Sequence, residues 1–98
     1  MKGQFFMDEI VRVTMNIDQA ELLKVREVCE LLSISPHTLR YWEKEFEGYL
    51  NPYRSKGGHR LYDDHNIRKL LEIRFLLKEE LYSINGAKNR LNISARNR

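Results

Sequence analysis

Cysteine is nearly absent from this 98-residue chain: Cys29 stands alone. A lone thiol excludes an intrachain disulfide and a cysteine-rich metal site. Val25, Val28 and Leu32 share its helical face, so Cys29 reads as a buried structural thiol rather than a redox sensor. Histidine is almost as scarce. His37, His59 and His65 fall on three different proposed elements, and none has a second histidine or a carboxylate at metal-ligand spacing, so no metal site is expected. No apolar run approaches the ~20 residues that span a bilayer, and the N-terminus lacks a continuous apolar signal core. The expected location is the cytoplasm. A phosphate-binding glycine loop and a nucleophile elbow are both missing, and the one paired acid, Asp63-Asp64, sits where a helix begins and reads as a cap. Neither an enzyme nor a cofactor is expected.

What is present is a modest positive charge, +3, placed unevenly. The first 24 residues hold three basic and four acidic side chains, leaving 14 basic and 10 acidic for the rest. Five of those basic residues and three of the acidic ones lie between Ser35 and Tyr62. Ser35 is a hydroxyl cap, and Pro36 fits the first helical position because its missing N–H has no intrahelical acceptor. From there, Leu39, Trp42 or Glu43, and Phe46 fall on one side at helical spacing, while His37, Arg40, Tyr41 and Lys44 fall on the other. An apolar stripe behind a donor-rich stripe suits a helix that a core holds and a nucleic-acid groove receives. An ordinary solvated surface helix has the same pattern.

The next stretch weighs against that plainer reading. Leu50-Asn51-Pro52-Tyr53 and Arg60-Leu61-Tyr62 flank a tip containing Ser55, Gly57 and Gly58, residue types that tolerate the positive φ of a tight hairpin. Arg54, Lys56, His59 and Arg60 crowd this hairpin, and no acid accompanies them. Such a tip repels itself unless a polyanion meets it. A donor-faced helix beside a cationic hairpin describes a winged helix-turn-helix, with the wing on backbone or minor groove and the helix in the major groove.

Three runs carry a family resemblance: Val25-Arg26-Glu27-Val28-Cys29, then Ser35-Pro36-His37-Thr38-Leu39-Arg40-Tyr41-Trp42-Glu43, then Gly57-Gly58-His59-Arg60-Leu61-Tyr62-Asp63. Together they resemble the DNA-binding domain of the MerR family of transcriptional regulators, over roughly Leu23 to Leu91. The resemblance implies a mainly α fold: a winged helix-turn-helix with a small β-hairpin wing and two C-terminal helices. It also implies double-stranded DNA as the partner. It carries DNA contact to His37, Thr38, Arg40 and Tyr41 on recognition helix 36–46 and to Arg60 in wing 54–62. Charge and position alone add Lys44, Arg54, Lys56 and His59. An alternative for Arg40 is to brace Glu43 or another acid inside the fold. Tyr62 and Trp42 read as packing.

Around this centre the chain divides into an N-terminal extension, 1–22, a domain, 23–92, and a flexible tail, 93–98. Val11 to Ile17 alternates apolar and polar residues as a strand does, with a short helix over Asp18 to Leu22 as the competing reading. Leu23-Lys24-Val25 is expected to pair with the wing, and Arg26 to Leu32 to form the first helix. Asp63 is expected to cap a long helix with two apolar stripes, Ile67/Leu70/Ile73/Leu77/Leu81 and Leu71/Phe75. Ser83 is expected to cap a last helix whose inner face is Ile84, Ala87 and Leu91. Where the MerR family usually places a glycine to end the long helix, this chain has Leu81, at a steric cost. Members of the family typically continue into a dimerisation helix and an effector domain. The chain ends where that helix would begin, so it reads either as a stand-alone DNA-binding module or as a fragment.

Transcription regulation, phage-type excision and packaging share this fold, which cannot choose among them. A different class of reading is a protein-interaction module, docking or self-associating through Val11 to Ile17 or the Leu71/Phe75 face.

Overall fold

The computed structural model describes residues 22–93, together with Asp8. It opens with a two-residue strand, Leu23–Lys24 (β1), that runs directly into a helix, Val25–Leu32 (α1). The junction holds because the Glu27 carboxylate accepts the Lys24 N–H at 2.8 Å, satisfying one of the donors a helix start leaves open. Val28, Cys29 and Leu32 are buried. Ser33 ends α1 in the left-handed region (φ 56°), and the Ile34 N–H folds back to the Cys29 carbonyl at 3.1 Å. The Leu32 carbonyl, which has no acceptor role within α1, takes a hydrogen bond from Arg74 Nη1.

The second helix, Pro36–Glu45 (α2), begins as the sequence specifies: Ser35 Oγ accepts the Thr38 N–H at 3.0 Å, with proline at the first position. Leu39, Trp42 and Phe46 are buried against α1 and the core. Gly48 (φ 91°) turns the chain, and the Tyr49 and Leu50 N–H groups both return to the Phe46 carbonyl. The wing is then built from Tyr53–Arg54 (β2) and Arg60–Tyr62 (β3). With β1 these strands form one antiparallel sheet, in the order β1-β3-β2, in which Leu23 opposes Tyr62 and Tyr53 opposes Leu61. At the tip Ser55 and Gly58 close the turn (2.9 Å), and Gly58 supplies the positive φ, 83°.

A long helix, Asp64–Arg74 (α3), follows, capped by Asp63, whose Oδ1 accepts the Asn66 N–H at 2.9 Å. Buried Asn66 also clasps the backbone of Asn51, accepting its N–H at 2.9 Å and donating to its carbonyl at 3.1 Å. One side-chain amide thus fixes where the wing leaves the core. Tyr49 adds a second tie: its hydroxyl donates to Glu72, and Lys69 Nζ lies 5.0 Å from its ring centroid while donating to its carbonyl at 3.0 Å. Burial first, then its hydrogen bond and charge contact with Glu72, push the Tyr49 hydroxyl well above the ordinary tyrosine pKa.

Past Arg74 the helix widens into a π turn, Phe75–Glu79, and the Glu80 N–H reaches the Phe75 carbonyl at 2.9 Å. Leu81 then sits in the left-handed region (φ 59°), and the Tyr82 N–H bonds the Leu76 carbonyl at 2.8 Å. The last helix, Ile84–Arg90 (α4), is capped by Ser83 and packs through buried Ala87. Among the described residues no helix is long and apolar enough to cross a membrane.

Three expectations need correction. Leu81 does not continue the inner stripe of the long helix: it lies beyond the helix end and is 79% exposed, because the π turn and the left-handed corner rotate it outward. The stripe is completed instead by Leu76. Leu71 and Phe75 are not a separate surface. Leu71 is 1% exposed in the same cluster as Ile67, Leu70 and Ile73, and Phe75 packs against that cluster, so this face is used within the chain and is not open for docking or self-association. Ile93, placed by sequence at the start of the tail, is buried and closes α4, its N–H bonded to the Lys88 carbonyl at 2.9 Å. The strand expected at Val11 to Ile17, the competing helix over Asp18 to Leu22 but for its last residue, and the rest of the tail lie outside the described residues.

Candidate nucleic-acid interface

The outer face of α2 is set by its inner face. With Leu39, Trp42 and Phe46 committed to the core, helical geometry turns His37, Arg40, Tyr41 and Lys44 outward, and all four are exposed, Tyr41 at 48%. Thr38 is half-buried, its hydroxyl accepting from Ser35 Oγ at 3.0 Å beside the helix start. On the wing, Arg54, Lys56 and His59 are exposed. Arg54 Nη1 donates to the Gly58 carbonyl at 2.9 Å, and the His59 N–H donates to Ser55 Oγ at 3.2 Å, so the tip is braced from within while its charges face outward.

Arg60 is placed differently from these. Its Nε lies 2.5 Å from Glu43 Oε1, and the Arg60 side chain is 30% exposed against 9% for that of Glu43. The partner of Glu43 is therefore a wing arginine and not Arg40, the alternative brace the sequence offered, which stands exposed on α2 with its charge still felt at Glu43. Burial pushes the Glu43 carboxyl above the ordinary glutamate range, and the pull of Arg60, Arg54 and Arg40 in the other direction does not fully offset it. The same carboxylate, after burial itself, pushes the Cys29 thiol up. Cys29 is buried, which suits a packing role.

Two clefts flank this pair and share Arg40 and Arg60 as their common wall. One, of about 550 Å³, lies between α2 and the foot of the wing and is lined by Lys44, Arg54 and Glu43. The other, of about 520 Å³, is bounded by Lys24, Arg26, Ser55, Gly58 and His59. Lys24 and Arg26 were not singled out in the sequence as site residues. Their signal lay in the pairing of β1 with β3, which carries the start of α1 alongside Arg60. Glu43 was also missed as a site residue, since helical spacing left it interchangeable with Trp42 as an inward position. Of the nine candidate residues, Arg40, Lys44, Arg54, His59 and Arg60 line these clefts, while His37, Thr38, Tyr41 and Lys56 lie on α2 and the wing outside them, and among the described residues no cluster of His, Cys, Asp or Glu is placed to hold a metal.

Comparison with known proteins agrees with this architecture. Over 53 residues, 54% of this chain, the sequence is 43% identical to the HTH-type transcriptional regulator MlrA of Salmonella typhimurium and, equally, to that of Escherichia coli strain K12. The match covers only 21% of the length of each relative. A profile of the MerR HTH family of regulatory proteins matches residues 23–93, from the first strand to the buried end of the last helix, and the chain belongs to that family.

Proposed function

We propose that this chain is a sequence-specific double-stranded DNA-binding protein acting as a cytoplasmic transcriptional regulator. Helix α2 lies in the major groove and the wing on the backbone or in the minor groove. The observation that carries this reading is the continuity of exposed donors from His37, Arg40, Tyr41 and Lys44 on α2 to Arg54, Lys56 and His59 on a wing tip free of acids. A polyanion is the partner that relieves such a tip, and a donor-rich helix is what reads base edges. The regulatory part of the reading leans on the family and on what the relatives' names state. His37 and Thr38, in the first turn, face bases; Tyr41 gives its hydroxyl to a phosphate; and the cations of the clefts meet the backbone.

Selection of bound duplexes from a random library at physiological salt tests this. One short motif should be enriched. H37A and T38A should each change the motif, while R54A and K56A should lower recovery without altering it. Recovery of no motif would overturn the reading.

A further inference from the structure

Glu43 is an odd residue to find under a surface that meets a polyanion. Its side chain is only 9% exposed, both carboxylate oxygens are shielded from solvent, and neither has a hydrogen-bond partner among the described residues beyond the close approach of Arg60 Nε at 2.5 Å. Removing such a carboxylate from water is costly, and an apolar side chain at this position would avoid the cost. The geometry offers a reason to keep it. Arg60 sits on β3 of the wing and Glu43 on α2, so their contact joins the two elements that flank the clefts. The joint uses one edge of the guanidinium. Nε is the nitrogen that lies against Glu43, as an ion-pair contact rather than an aligned hydrogen bond, and arginine carries five donors in a rigid fork, so the terminal nitrogens remain for another partner on a side chain that is 30% exposed.

We propose that Glu43 is a positioning residue. Its charge holds Arg60 from the Nε side so that the terminal donors of the guanidinium are presented to a DNA phosphate, and the ion pair locks the wing to α2 at the spacing the duplex requires. This rests on the DNA-binding reading above. A lysine at position 60 would supply the charge without the second edge, and a free arginine would supply the donors without the aim.

The test is a double-mutant cycle in DNA binding, read as affinity and as the slope of log affinity against log salt, on the full chain with its selected duplex. Glu43→Ala should weaken binding about tenfold and lower the slope by about one unit, as Arg60→Ala does, and the double variant should match either single one. R60K should behave like R60A rather than like the wild type. Should E43A lower the melting temperature, Glu43→Leu fills the same buried space without an acceptor, and its cycle with R60A carries the same expectation. Independent, additive losses from the two sites would overturn the proposal, as would an unchanged slope in E43A or E43L, or wild-type binding by R60K. Absence of salt-dependent binding in the wild type would instead sink the underlying DNA reading, so the two failures are distinguishable.

Discussion

Leu81 bears a backbone conformation unsuited to its side chain. At φ 59° a β-carbon crowds the following carbonyl, at a cost of about 1–2 kcal/mol, and at 79% exposure the leucine recovers almost nothing by burial. Leu81→Gly removes the clash but frees the unfolded chain, which returns roughly 0.4–1 kcal/mol. The variant should therefore be more stable by about 0.5–1 kcal/mol, raising the melting temperature by a few degrees in a domain of this size. A lower melting temperature would show that the leucine makes a contact worth more than the strain. Glu43 gives a second residue-level expectation, this time in pH. Its carboxyl titrates higher in the folded protein than in the unfolded chain, so the folded state holds that proton more tightly. Its contribution is then fully present below the ordinary glutamate range and is lost as pH rises through the elevated value. Relative to E43Q, the wild type should lose stability across that window; a constant difference in chemical denaturation at several pH values would contradict the assignment.

The elements are joined at a few polar points rather than by long sheets, and the wing depends on them. Asn66 is the clearest case. Asn66→Ala leaves the Asn51 N–H and carbonyl without their side-chain partner and should cost about 1–3 kcal/mol, measured by denaturant titration. Binding should weaken with it, because Asn51 leads into β2. A neutral N66A would mean that the strands and the remaining polar ties hold the wing without it. Asp63, which caps α3 next to Asn66, shows how such a joint sets charge. Burial alone would raise its carboxyl, but donations from the Asn66 N–H and side chain, with the Tyr53 hydroxyl and the charge of His65 nearby, outweigh burial and leave it below the ordinary aspartate value. That contribution runs opposite to the one from Glu43: it is present above the ordinary aspartate range and lost as pH falls through the lowered value.

At the scale of the molecule, the helix-turn-helix and wing were legible in the sequence because their signals are local. Ser35-Pro36, Asp63 and Ser83 are caps that state where helices begin, and the alternation of Leu39, Trp42 and Phe46 with Arg40, Tyr41 and Lys44 states which face is which. What could not be read depended on contacts across the fold. The Arg60–Glu43 pair joins residues on separate elements, and no periodicity specifies which of several arginines a buried acid will take. The π turn at Phe75–Glu79 has no sequence rule of its own, and a shift of one residue there turned Leu81 outward and brought Leu76 in. The pairing of Leu23-Lys24 with the wing was legible, but that it brings Lys24 and Arg26 to one cleft with Arg40 and Arg60 was not.

On the proposed reading, this cationic face, built from α2 and the wing, binds the DNA backbone as well as the bases. Arg40, Lys44, Arg54, Lys56 and Arg60 are the cations in question, and about 3–5 phosphate contacts should displace as many condensed counterions. Affinity for the selected duplex, titrated from low to physiological salt and above, should therefore fall with a log-log slope of roughly −3 to −5 per protomer. A slope near zero would contradict the account.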